Sequence, residues 1–216
     1  MFKTVLMRDE KGDAMQGRAR IGGRQLIAAL FAAVLAAVSA ATVARAGALA
    51  DAAREAEEKA AAGDVIGAYD AIRDAFGAFS MTLPFTVRQA VFVSEKPKAY
   101  GAYSLRPEPV FRPGEPLITY VELIGLTWKS TGDGLEHANF SVDFEILEPD
   151  GKILAAQKGF AEFTSTGLIR NQEIFTHLTL DITGAEPGDY VLKYTINDLV
   201  GERFTNFDQK FTVRDR

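Results

Sequence analysis

The stretch NFSVDFEILEPDGKIL, residues 139–154, decides the fold that the sequence predicts. Every second residue from Phe140 to Ile146 is apolar, and the residues between them are Ser, Asp and Glu. An extended strand with this pattern has one dry face and one wet face. Asp150-Gly151 follows, a dipeptide that favours the primed turns joining antiparallel strands. The stretch therefore predicts a β-hairpin packed on a core.

The same period of two recurs along the chain from residue 86 onward. Turn residues such as Pro113-Gly114 and Pro187-Gly188 separate the alternating segments. The predicted strands are Val87–Ser94, Ala99–Leu105, Leu117–Leu126, Asn139–Glu148, Lys152–Thr164, Glu173–Thr183, Tyr190–Asn197 and Phe204–Val213. Short strands at regular spacing predict an antiparallel β-sandwich or barrel over residues 86–216.

Two of these segments have distinctive positions in the predicted sheets. Leu117–Leu126 is apolar on both faces apart from Glu122, which predicts a central strand or one covered by helices. The segment from Arg106 to Glu115 holds three prolines, which cannot donate ladder hydrogen bonds. We therefore expect an edge or a loop there.

Residues 47–83 are rich in Ala and predict two helices that separate at Gly63-Asp64. On the second helix, apolar residues at spacings of four and three share one face: Val65, Tyr69, Ile72, Phe76 and Phe79. The expected fold class is mainly β, an immunoglobulin-like antiparallel sandwich preceded by a short α-helical hairpin. The hairpin is expected to pack on the sandwich or to pair with another copy.

An apolar run, Leu26 to Ala46, follows Arg18, Arg20 and Arg24 and ends in Ala-Arg-Ala. This pattern is typical of a secretory signal peptide, with Met1, Met7 or Met15 as its start. The alternative is a retained inner-membrane anchor over residues 26–44. In both cases the arginines before the run predict that residues 47–216 are exported. The expected location is the periplasm or the medium.

Charge and cysteine content narrow the class of protein further. Residues 47–216 carry 17 Lys and Arg against 26 Asp and Glu, a net charge of −9. An acidic body is a poor partner for nucleic acid. The chain has no cysteine, which excludes thiol catalysis and disulfides. Exported eukaryotic sandwiches usually carry disulfides, so the composition favours a bacterial envelope protein.

The corner Pro187-Gly188-Asp189-Tyr190, with the strand after it, resembles the late strands of bacterial immunoglobulin-like and fibronectin-III-like domains. In such folds a Tyr at this corner hydrogen-bonds the backbone a few residues upstream, which implies that role for Tyr190. Residues 110–115 resemble the loop entering an early strand, and Phe211 and Val213 resemble the closing strand. The resemblance covers roughly residues 86–214 and implies a fold without an activity.

Exposed aromatic residues are the strongest candidates for a binding surface. The alternation places Trp128, Tyr100, Tyr103, Phe111 and Phe175 on outer faces or loops. If they cluster, they mark a contact surface for a protein or ligand. Alternatively, the helical pair covers them through its own apolar face.

No motif predicts an enzyme, a cofactor or a metal site. The chain has only two histidines, His137 and His177, whereas a zinc site needs three or four ligands. Asp143 and Glu145 lie on one strand face and could form the carboxylate pair of a glycoside hydrolase, but acidic residues at alternate positions are also typical of any solvent-exposed sheet face. The sequence therefore favours a non-enzymatic interaction module that binds an envelope or periplasmic protein. The alternative is a carbohydrate or small-ligand binding domain that uses the exposed aromatics. The sequence leaves the oligomeric state open.

Overall fold

The computed structural model describes residues 47–215, and the leader predicted for residues 1–46 lies outside them. Helix α1 covers residues 47–61, and helix α2 is Val65–Ser80. Gly63 has a φ of 84°, which ends α1 in the left-handed conformation that favours glycine. Asp64 then caps α2, where its Oδ1 accepts a 3.0 Å hydrogen bond from the Gly67 amide. Within residues 47–215 no helix is both long and apolar enough to span a membrane.

In the part of the chain that the structure describes, nine strands follow the helices and form two facing sheets. The strands are β1 Thr86–Phe92, β2 Val110–Phe111, β3 Leu117–Ile124, β4 Lys129–Ser130, β5 Glu136–Leu147, β6 Ile153–Gly167, β7 Ile174–Leu180, β8 Gly188–Asp198 and β9 Arg203–Val213. One sheet has the order β1-β3-β7, and the other has the order β2-β9-β8-β5-β4 with β6 paired to β5. Every pairing is antiparallel except that of β2 with β9. The predicted immunoglobulin-like sandwich is confirmed.

The core lies between the two sheets and follows the predicted alternation. From β5 the residues at 138, 140, 142 and 144 are buried, and from β8 those at 192, 194 and 196. From β3 and β7 the inward residues include Leu117, Val121, Leu123, Leu178 and Leu180. Burial of each large aliphatic side chain stabilises the fold by about 1.5–3 kcal/mol.

The hairpin between β5 and β6 forms where Asp150-Gly151 predicts it, but with a different turn. The Glu148 amide donates a 2.9 Å hydrogen bond to the Lys152 carbonyl, so the loop between the two strands has three residues, 149–151. Only Gly151 has a positive φ, 92°, whereas a primed two-residue turn requires one at its first central residue. The predicted primed turn was therefore wrong. The Gly151 amide donates to the Glu148 carbonyl at 2.9 Å, which places Pro149 and Asp150 at the centre of the turn, and Pro149 favours an ordinary turn there because its φ is fixed near −65°.

The strand predicted for Ala99–Leu105 was also wrong. This segment forms only isolated bridges, Ala99 with Ala102 and Val93 with Leu105. The chain reverses at Gly101, whose φ is 69°, so no extended run is left to pair. The loop instead lies over the outer face of β3, where the Gly101 amide donates to the Tyr120 hydroxyl at 2.8 Å. β3 is the central strand of its sheet, as predicted, and this loop covers its outer face.

The corner residue Tyr190 makes the contact that the resemblance implies. Its hydroxyl donates to the Glu186 carbonyl, four residues upstream, at 2.7 Å. Its ring stacks on Phe211 of β9 with centroids 5.3 Å apart. The corner thus ties the loop between β7 and β8 to the closing strand.

Candidate binding surfaces

Aromatic rings cover the outer face of the three-stranded sheet. We call Tyr100, Tyr103, Tyr120 and Phe175 the tyrosine cluster. Tyr120 is fully buried, with the ring of Tyr103 at 4.3 Å and that of Phe175 at 5.8 Å between centroids. Tyr100 packs edge-on against Phe175 at 6.4 Å. Tyr100, Tyr103 and Phe175 remain partly exposed, so they form the solvent side of the cluster.

A buried carboxylate lies beneath these rings. Glu122 is 3% exposed and accepts a 2.7 Å hydrogen bond from the Tyr120 hydroxyl. Its other oxygen pairs with the guanidinium of Arg88, whose side chain is about half exposed. Gln89 adds a 3.3 Å hydrogen bond to the Tyr103 hydroxyl. Glu122, the one charged residue of β3, is thus neutralised by Arg88, whose long side chain reaches it from the surface.

Burial changes the acidity of this cluster. It raises the pKa of Tyr120, and the negative charge of Glu122 raises it further. The pKa of Tyr100 is also raised, first by burial and then by Glu122. His177, the cross-strand neighbour of Tyr120, has its pKa lowered by burial and by Lys96. Tyr120 therefore keeps its proton well above neutral pH and donates to Glu122.

Three of the five predicted aromatic residues come together in the cluster, and two do not. Phe111 and Trp128, 1% and 5% exposed, lie in the core, so their predicted exposure was wrong. Phe111 is on β2, whose pairing with β9 places its ring edge-on against Phe92 at 5.2 Å. Trp128 faces inward because Thr127 beside it is anchored to the buried carboxylate of Asp198, with Oγ1 to Oδ2 at 2.6 Å.

Two residues that hold the tyrosine cluster in place, Tyr120 and Arg88, were not among the predicted site residues. Tyr120 was expected only as part of an apolar strand, and Arg88 was not singled out. The sequence does contain one sign of these contacts. Glu122 is a single acid in an apolar strand, and a buried acid requires a hydrogen-bonding or cationic partner. The identity of that partner depends on the bulge between Val87 and Gln89, which shifts the register around Arg88.

The apolar face of α2 is a second surface. We call Val65, Tyr69, Ile72, Phe76 and Phe79 the α2 stripe. These side chains are between 39% and 73% exposed. The helix instead buries Gly77 and Ser80, and the Met81 sulfur beyond its end lies 3.3 Å from Arg170 of the loop between β6 and β7. The expectation that this face covers the sandwich aromatics was therefore wrong.

Three of the four polar residues considered for chemistry have a local partner. Asp143 accepts hydrogen bonds from the Gly159 amide at 2.7 Å and the Asn197 side chain at 3.1 Å. Glu145 pairs with Lys193 across the strands at 3.4 Å. His137 lies 3.1 Å from the Thr166 hydroxyl. These contacts hold a bulge and two strand pairs in place.

The two-sheet topology classifies this domain as an immunoglobulin-like β-sandwich. No protein-family model matches the sequence, and no curated protein matches it. Among solved structures, the chain is similar to CopC from Methylosinus trichosporium OB3b, with 16% identity and a TM-score of 0.28 over 58% of this chain and 93% of that one. A Niemann-Pick type C2 protein from the Japanese carpenter ant has 8% identity and a TM-score of 0.36 over 60% and 92%. The CARDB domain of a Pyrococcus furiosus protein has 14% identity and a TM-score of 0.30 over 61% and 88%.

Proposed function

We propose that this protein is an exported, non-enzymatic interaction module that binds a partner protein in the bacterial envelope. The observation that carries the proposal is the exposure of the α2 stripe. Five large apolar side chains on one helix face are between 39% and 73% exposed. Contiguous apolar surface of this kind marks interaction sites on soluble domains.

The spacing of the α2 stripe indicates the kind of partner surface. Its residues follow one another at intervals of four, three, four and three. That is the strict repeat of a helix seam that packs into another helix or an apolar groove. Arg73 beside the stripe is paired with Asp70 at 3.0 Å and with Asp74 at 3.2 Å, so this cation is already engaged within the helix. The partner surface is therefore expected to be apolar.

The sequence pattern before residue 47 supports the envelope as the proposed location. The apolar run at residues 26–46 follows arginines and precedes an acidic body, the order expected for a translocated chain. The chain has no cysteine and relies on its core for stability.

Site-specific photo-crosslinking in intact bacteria tests this function. A benzophenone amino acid at Phe76 is expected to form one defined crosslinked product, whereas the same group at Asp74, on the polar side of the helix, forms none. Mass spectrometry then identifies the partner, and a product of two copies of this chain would indicate self-pairing. Absence of a product at Phe76 and at Tyr69 would overturn the proposal.

The second candidate is a carbohydrate or small-ligand binding domain. The observation in its favour is that Tyr100 and Tyr103 present partly exposed rings over the buried ring of Tyr120. Aromatic rings held this way can stack on apolar ligand faces. A glycan array probed with the protein and with its Tyr103→Ala variant tests this candidate, and Tyr69→Ala serves as the matched control. Trp128 is not part of this candidate ligand site, because its ring is buried.

A further inference from the structure

A groove opens at the end of the sandwich where the hairpin of β5 and β6 meets the loop between β7 and β8. We call it the end groove. It has a volume of about 670 Å³, and it is lined by residues of the six-stranded sheet and of the loop between β7 and β8. This volume lies within the usual range for ligand pockets, about 300–1,000 Å³. The end groove shares no residue with the α2 stripe or the tyrosine cluster.

The floor of the end groove is apolar. It contains Ile146, Leu154, Ile182, Tyr190 and Phe211. Ile182 and Phe211 are anchored in the core, and Leu154 is 45% exposed. The corner hydrogen bond of Tyr190 and its stacking on Phe211 hold this floor in one arrangement. An apolar side chain therefore finds a preformed place here.

The rim of the end groove is acidic. It contains four carboxylates, those of Glu148, Asp181, Glu186 and Asp189, and no Lys or Arg of the described residues lines it. Asp181 and Asp189 are held by threonine hydroxyls of the chain itself, and Glu148 pairs with Lys152 at 3.1 Å. The rim therefore keeps a net negative charge above an apolar floor, which is complementary to a ligand with both apolar and cationic groups.

A free strand edge borders the same groove. Among the described strands β6 pairs only with β5, so its other edge has unpaired amide and carbonyl groups. Residues 153–159 of β6 are all exposed. Leu154 and Ala155 also line the end groove, so the groove reaches this edge. A free edge of this kind can pair with an added strand.

We propose that the end groove binds a basic, extended segment of a partner protein. The segment pairs with the free edge of β6, places an apolar side chain against the exposed Leu154, and directs Lys or Arg side chains toward the acidic rim. Strand pairing supplies main-chain hydrogen bonds, whereas the floor and the rim select the side chains. A second copy of this acidic chain would bring like charges to the rim, which disfavours it as the occupant.

Fluorescence anisotropy with the full-length protein tests the proposal. The probe is a labelled peptide of about eight residues that alternates Lys and Val, and its control alternates Glu and Val. We expect binding of the Lys peptide only, and it should weaken as salt rises from about 50 to 300 mM. In the triple variant Asp181→Asn, Glu186→Gln, Asp189→Asn, we expect the Kd to rise at least about tenfold, since three charges leave the rim.

A matched variant removes three charges elsewhere. Glu55→Gln, Glu57→Gln and Glu58→Gln neutralise exposed acids on α1 and are expected to leave the Kd within about twofold. The asparagine substitutions keep acceptors for the rim threonines. If the triple variant nevertheless melts earlier, Glu186→Lys alone is used, since the structure gives the Glu186 side chain no hydrogen bond to disrupt. Hydrogen exchange should show protection of β6 amides when the Lys peptide binds.

Four results would overturn the proposal. These are equal weakening by the rim and α1 variants, equal binding of the Glu peptide, full displacement of the Lys peptide by the small polyamine spermine, or no protection on β6. Charge changes on the rim leave the α2 stripe untouched. Loss of the crosslink at Phe76 with retained peptide binding would therefore reject the proposed function alone, and the reverse would reject the end groove alone.

Discussion

The hydroxyl of Tyr120 donates a 2.7 Å hydrogen bond to the carboxylate of Glu122, two residues further along β3. Both side chains are on the outer face of the three-stranded sheet, and both are buried there. A strand puts residues two apart on the same face, so this contact is local in sequence. It becomes dry only because a loop and the Tyr103 and Phe175 rings fold over it.

Glu122→Ala is expected to destabilise the protein by about 1–3 kcal/mol, because it leaves the buried Tyr120 hydroxyl without an acceptor. Glu122→Gln keeps an acceptor and should cost less. Urea unfolding followed by circular dichroism measures both. Equal stability of the Ala variant and the wild type would show that Glu122 does not support the fold.

Stability should fall at alkaline pH. Burial raises the pKa of Tyr120, Tyr100 and Tyr194 above the value of about 10 for tyrosine in an unfolded chain. The unfolded state then loses these protons first, so their contribution is complete below about pH 10 and is lost as the pH rises further. Absorbance titration of tyrosinate in native and urea-unfolded protein checks the order. The double variant Tyr120→Phe, Tyr194→Phe should lose less stability between about pH 9 and pH 11.

Asp198→Ala is expected to be among the most damaging single changes. The buried carboxylate accepts from the Thr127 hydroxyl, the Gly201 amide at 2.9 Å and Arg203 at 3.1 Å. Its removal leaves these donors unpaired and should cost about 3 kcal/mol or more. Trp128, the one Trp of the chain, reports the change directly. Its emission should shift to the red in the variant, and an unchanged spectrum would contradict the role given to Thr127.

Gly151→Val should destabilise the fold by about 1–3 kcal/mol, because a β-branched residue resists a φ of 92°. An added Cβ meets nothing within 4 Å, so strain is the only cause. Gly188→Ala is the control, since its φ is ordinary and its Cβ would make only normal contacts. Thermal melts of both variants measure the difference. A Gly151→Val variant with the same melting temperature as the wild type would contradict the left-handed conformation given to Gly151.

The α2 stripe should be dispensable for folding. Ile72→Glu with Phe76→Glu is expected to change the free energy of unfolding by less than about 1 kcal/mol, because both side chains are exposed in the fold. Leu123→Ala, in the core, should cost about 2–5 kcal/mol. A large loss in the stripe variant would mean that the α2 stripe itself packs on the sandwich.

The seven long strands, the hairpin at Gly151 and the helix cap at Asp64 could be predicted from the sequence. Each depends on neighbours within a few residues, through alternation, turn chemistry or a cap. The role of Tyr190 was implied in the same way, by a corner motif that is local. The predicted strand at Ala99–Leu105 failed because the chain reverses at Gly101 and the resulting loop packs on the distant strand β3.

Exposure was the property that the sequence alone did not determine. Period two separates the faces of a strand, but it does not say which face another segment will cover. Phe111 and Trp128 became core because β2 joined β9 and because Asp198 anchored Thr127, contacts of long sequence separation. The end groove likewise exists only where the loop between β7 and β8 lies beside the end of the six-stranded sheet, so its lining residues are scattered along the chain. Local residue order determined the sandwich, and long-range packing decided which of its surfaces remain available to a partner.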